Sequence, residues 1–177
     1  MDGIKKILKD DNRFLIDDRN IERICESSIY KYRVIEIPLC KILREQEITG
    51  KIIHLYDTKV YKYLTGTSDG IAAYQEYIDI CDVPFRSFDC YNQLIKEVNE
   101  NGGYDIKKGA IVVDQNYFII DGQHRSCLLL YKYGAKYKVK VVQIFYTKYR
   151  FSVIRKMRIL KAKLLYYRSL LCSVNRK

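Results

Sequence analysis

Tryptophan is absent from this 177-residue chain, histidine and proline occur twice each, and no acidic residue follows Asp121. With two prolines and no Gly/Ser-rich or repetitive stretch, nothing marks a linker or an array, so one folding unit is expected. The six cysteines (25, 40, 81, 90, 127 and 172) form no Cys-x-x-Cys pair, and His54 and His124 stand far apart. Neither a zinc site nor a disulfide framework is therefore expected, and the thiols read as small buried residues in a reducing compartment. No apolar run approaches the roughly 18 residues that span a bilayer. The opening Met1-Asp2-Gly3-Ile4-Lys5-Lys6, followed by Asp10 and Asp11, lacks the apolar stretch of a secretory signal. A cytoplasmic location is the expectation.

What is present is a hydrophobic fraction of 48%, enough for a real core at this length, and a net charge of +11 that is unevenly placed. Residues 1–121 hold 17 Lys/Arg and all 21 Asp/Glu, a net of −4. From Gly122 onward there are 15 Lys/Arg and no acid. A field of that sign attracts phosphates, whether of nucleotides, nucleic acid or lipid head groups.

Residues 19–29 predict a helix, with Ile21, Ile24, Cys25 and Ser28 near one face, and Tyr32–Ile37 a strand ended by Pro38. Leu39–Glu47 reads as a connection or short helix carrying two carboxylates. Asp57 or Thr58 is placed to cap a helix to Leu64, Ser68 one to Asp79, and Ser87 one that stops at Asn101-Gly102-Gly103. A hairpin follows, Ala110–Val113 and Tyr117–Ile120 about a turn at Asp114-Gln115-Asn116, and its second strand runs into Asp121. Ser126–Tyr131 reads as a buried helix closed by Gly134, and Lys138–Tyr146 as a strand. The fold class is mixed α/β (α+β), a small mixed sheet flanked by helices.

Between that hairpin and the buried helix lies Asp121-Gly122-Gln123-His124-Arg125-Ser126. A glycine turn into a helix gathers free backbone N–H groups at one point and lets an anion approach the backbone closely. Arg125 in the first turn opposes the helix dipole, an arrangement that costs a few tenths to about 1 kcal/mol unless an anion faces it. His124 and Arg125 are suited to charge-assisted bonds with phosphate. Asp121 has two readings: it caps the helix, or it orients a substrate hydroxyl or holds Mg²⁺.

The run Ile119–Arg125, with the apolar helix, Gly134 and strand behind it, resembles the ParB/sulfiredoxin superfamily, in which such a strand-turn-helix binds nucleotide phosphates. Val34-Ile35-Glu36-Ile37-Pro38-Leu39-Cys40-Lys41-Ile42 is similar to that family's first strand. The likeness covers roughly residues 30–146, omitting the Tyr/Asp-rich stretch near 55–82. Sulfiredoxins need a cysteine where Gln123 stands, and ParB partition proteins carry Gly-Glu-Arg-Arg; both activities are disfavoured here. The free-serine kinase branch, with Asp-Gly-His-His-Arg, differs only at Gln123. That resemblance implies a phosphotransferase using ATP or ADP, or else CTP, with Mg²⁺, acting on a small hydroxylated molecule, serine-like or a glycan or lipid precursor. It also implies that a glutamate after the first strand serves as base, here Glu45 or Glu47; the alternative is that both are solvated surface acids. Gly122, Gln123, His124, Arg125, Ser126 and Asp121 would hold the nucleotide, and Asp121 the metal.

Three segments result: an N-terminal helical extension (1–29), the nucleotide-binding domain (30–147) and a basic amphipathic helix (148–177). The last repeats Ile154, Met157, Leu160, Leu164, Tyr167 and Leu171 between basic residues. It packs on the domain, or rests on an anionic membrane, or contacts nucleic acid. The corresponding alternative function is a non-catalytic ParB-like module or nucleotide switch that docks on DNA or membrane. His54 and the 17 tyrosines read as structural.

Overall fold

The computed structural model describes residues 2–25, 29–45, 51–81, 87–100 and 103–146. Glu47 and the amphipathic stretch 148–177 therefore lie outside the described residues, as does Ser28. Helices α1 (Asp2–Asp10) and α2 (Asp18–Cys25) precede strand β1 (Ile29–Pro38). Then come a 3₁₀ turn (Leu39–Lys41), strands β2 (Leu43–Glu45) and β3 (Ile52–His54), and a second 3₁₀ turn (Leu55–Asp57). Helices α3 (Lys59–Leu64), α4 (Ser68–Cys81) and α5 (Phe88–Glu100) follow. The chain continues through β4 (Val112–Asp114), β5 (Ile119–Asp121), α6 (Gln123–Tyr133) and β6 (Lys138–Tyr146). The mixed α/β class is as the sequence implies.

A four-stranded sheet runs in the order β1-β6-β4-β5, with β4 parallel to β6 and the other pairs antiparallel. Both faces are covered, so its inner strands read as continuous apolar runs. Ile111, Val113, Val139 and Val141 face α6 and the helices α3, α4 and α5; Ala110, Val112, Val142 and Ile144 face α1 and α2 through Leu8, Phe14, Ile16, Ile21 and Ile24. The hairpin turn is built as its sequence suggests, with Asp114 Oδ1 accepting the Asn116 and Phe118 N–H groups. Beyond β5 a two-stranded sheet, β2 with β3, joins through a parallel bridge between Leu43 and Phe118.

Several expectations need correction. Leu39–Glu45 is a 3₁₀ turn and a strand, because Leu39 and Ile42 are drawn into the core as the main chain bonds to Ala135, Tyr137 and Tyr117. Thr67, not Ser68, caps α4, through its hydroxyl to the Gly70 N–H. The cap of α6 is Gly122 rather than Asp121, whose backbone belongs to β5. α1 was not anticipated; short and lysine-rich, it folds against the sheet through Leu8.

The connection between α1 and α2 is pinned to β1 by Asp11, which accepts the Tyr32 hydroxyl at 2.9 Å and the Arg13 side chain at 2.6–3.1 Å. Arg13 hydrogen bonding comes first among the causes that hold its carboxyl well below the usual carboxylate range, with the Tyr32 bond adding to it. A depressed folded value means that the stabilisation is complete above the unfolded value, near pH 4, and is lost as pH falls toward the folded one. Asp11→Asn is expected to lower stability at pH 7 and to flatten the acid limb of the profile, measured by urea denaturation at successive pH values. An unchanged acid limb would show that Asp11 does not contribute.

Candidate functional site

The Asp121–Ser126 turn lies at the end of β5 because Gly122 allows two things no other residue allows together. Its φ is +81°, in the left-handed region, and a Cβ there would lie 2.9 Å from the Ile111 Cα and 3.0 Å from the Ala110 carbonyl oxygen. The chain thus turns hard against β4 and enters α6 with no side-chain cap. The N–H groups of Gln123, His124 and Arg125 have no intrahelical acceptor at this end, whereas Ser126 N–H bonds to the Gly122 carbonyl at 2.9 Å.

The six expected residues then divide by what their side chains touch. Ser126 is fully buried, its hydroxyl donating back to the Gly122 carbonyl at 2.9 Å, so it fastens the first turn from within. One Asp121 carboxylate oxygen accepts the Asn20 amide at 3.0 Å, bringing α2 to the turn. The His124 ring is enclosed by Tyr74, Tyr77 and Tyr91, with Nε2 2.9 Å from the Tyr74 hydroxyl. Gln123 is half-buried.

The Arg125 guanidinium lies flat against Gly109, where an added Cβ would be 2.3 Å from Nη2. Among the described residues no carboxylate forms an ion pair with it. Tyr104 lies within its field. That hydroxyl accepts the Ile111 N–H at 3.0 Å, and burial pushes its pKa up to about 12, opposed by that bond and by the Arg125 charge. An arginine left unmatched in the first turn of a helix faces the dipole of α6 with no compensating charge.

Glu45, the predicted base within the described residues, ends β2. The Leu43–Phe118 bridge is parallel, so the register carried forward sets Glu45 level with Ile120, one residue before Asp121. Arg44 is near enough for its charge to act on Cys127 in α6, whose thiol burial nevertheless pushes up to about 12. Among the described residues no cluster of three or more His, Cys, Asp or Glu forms a ready-made metal cage. Mg²⁺ does not require one: it takes one or two carboxylates and fills the remainder with phosphate oxygens and water. Asp121 and Glu45 supply donors of that hard-oxygen kind.

Two contributors escaped the sequence reading. Asn20 is about a hundred residues from the turn, and the glycine at 109 is one of nine with nothing local to single it out. Tyr74, Tyr77 and Tyr91 were read as structural aromatics, though their rings reach His124. No family model, curated protein or solved structure matches this chain. Among the described residues no helix is long and apolar enough to cross a membrane.

Gly122→Ala is expected to cost about 2–4 kcal/mol, from left-handed strain together with the backbone clash, and to lower Tm by roughly 5–10 °C. Calorimetry measures this directly, and a Tm within a degree of wild type would contradict the close approach to β4. Gly109→Ala is the gentler probe. It displaces the guanidinium of Arg125, so it is expected to perturb whatever that cation binds more than it perturbs folding.

Proposed function

We propose that this protein binds a nucleotide by its phosphates at the Gly122 turn and passes a phosphoryl group to a small hydroxylated molecule, in the manner of ParB/sulfiredoxin-like kinases. The observation that carries the reading is Arg125, a cation in the first turn of α6 without a carboxylate partner among the described residues, beside an uncapped set of N–H groups. Anions favour both features, and phosphate fits them together. The strand register that brings Glu45 toward the same end of the sheet supports a base there. Mg²⁺ entering with ATP or ADP (CTP is a third candidate) would neutralise phosphate charge, with Asp121 among its donors.

In this reading Glu45 accepts the proton of the acceptor hydroxyl while its oxygen forms a bond to the terminal phosphorus. The bond to the bridging oxygen breaks, and the nucleotide leaves one phosphate shorter. Arg125 and the α6 N–H groups hold the phosphate oxygens in line.

At a concentration 100 times its Kd a ligand stabilises the fold by about 2.7 kcal/mol, so MgATP or MgADP is expected to raise Tm by several degrees. Arg125→Ala should remove the rise. Glu45→Gln should keep it and lower transfer to a hydroxyl acceptor by roughly 10²–10⁴. No shift with ATP, ADP or CTP would overturn the reading. The net charge of +15 after Asp121 favours a second one, a binding module docking on DNA or an anionic membrane through residues 148–177. Salt-sensitive binding that survives Arg125→Ala and is lost on deleting those residues would identify it.

A further inference from the structure

We propose that Tyr74 is a positioning residue that fixes His124 as a neutral imidazole carrying its proton on Nδ1, so that the ring presents a donor at the phosphate turn. The inference rests on the phosphate-binding reading of that turn.

Tyr74 lies in α4, fifty positions before His124, and is fully buried. Its ring is held by Tyr63 stacked at 4.8 Å and by the edge of Phe88 at 5.2 Å, so the position of its hydroxyl is set by packing rather than by the bond it makes. That hydroxyl lies 2.9 Å from His124 Nε2. A buried tyrosine O–H needs an acceptor. A phenol is the stronger proton donor of the two groups and an imidazole nitrogen the stronger acceptor, so the O–H donates to Nε2. In the neutral ring the remaining proton then resides on Nδ1.

The ring has little freedom to rotate away. Tyr91 meets it edge to face at 4.7 Å and 83°, Tyr77 packs at 5.8 Å, and the Tyr91 hydroxyl donates to the His124 carbonyl at 3.4 Å. His124 stands second in α6, where the positive end of the helix dipole disfavours an imidazolium. A neutral ring with the opposite tautomer would turn a lone pair on Nδ1 toward an anion and repel it. With Nε2 engaged, Nδ1–H is the one ring donor left, and by covalent geometry it is the nitrogen nearer the main chain.

The test uses the full chain and ¹⁵N spectra of the imidazole nitrogens, which distinguish the tautomers; with two histidines, His124→Asn assigns the signals. Wild type is expected to show the Nδ1–H form for His124, and Tyr74→Phe, which keeps the packed ring, a mixture of both. Binding of MgADP and of inorganic phosphate should weaken about tenfold in Tyr74→Phe. Tyr91→Phe, which also removes a hydroxyl from the cluster, should leave the tautomer unchanged. An Nε2–H tautomer in wild type, or the same spectrum in Tyr74→Phe, would overturn the inference. Undiminished binding by Tyr74→Phe would overturn it alone, whereas no binding by wild type to either probe would overturn the phosphate-binding reading with it.

Discussion

The start of α6 is set by one backbone approach, that of Gly122 against Ile111 and Ala110. β4 lies in the centre of the sheet, so the turn is anchored to its least deformable part. Interiors packed at crystal density do not yield to an added methyl group, and the position of every side chain from Gln123 to Ser126 follows from this contact. Ser126 fastens the first turn to the same glycine, and Cys127–Leu130 drive the helix into the core behind it. The helix cannot slide along the sheet.

Around this fixed point the rest of the chain supplies separate restraints. α2 brings Asn20 to Asp121, α4 brings Tyr74 to His124, and Gly109 makes room for Arg125. Each comes from a different element, and each acts on a different residue of one short turn. Preorganisation of this kind removes conformational freedom before a ligand arrives, so binding energy is not spent on ordering the site.

Sequence reasoning reached the strand-turn-helix, the hairpin before it, the long first strand and the helices over 59–64, 68–81 and 88–100, because each is specified locally by periodicity, caps and glycines. It missed α1 and β3, where the pattern is too short to have a period, and it mistook β2 for a connection or helix. It assigned the cap of α6 to Asp121 since a carboxylate there is the common solution, whereas φ at Gly122 is a property of the chain's path against β4. Within the site, the anion-binding features of Gly122 and Arg125 were legible. Their partners were not, because Asn20, Tyr74 and Gly109 meet the turn only through tertiary packing, which leaves no trace in local sequence.

The bond from Asn20 to Asp121 also bears on how the molecule is made. It links residues 101 apart. Loop closure over such a distance comes late, after local helices and the hairpin have formed, and contacts of this separation slow folding. During synthesis α2 emerges long before the turn it will hold, and its apolar face of Ile21 and Ile24 waits for Val112, Val142 and Ile144. The N-terminal helices are thus a part of the nascent chain with an unmet hydrophobic face for most of translation, the kind of surface that draws chaperones.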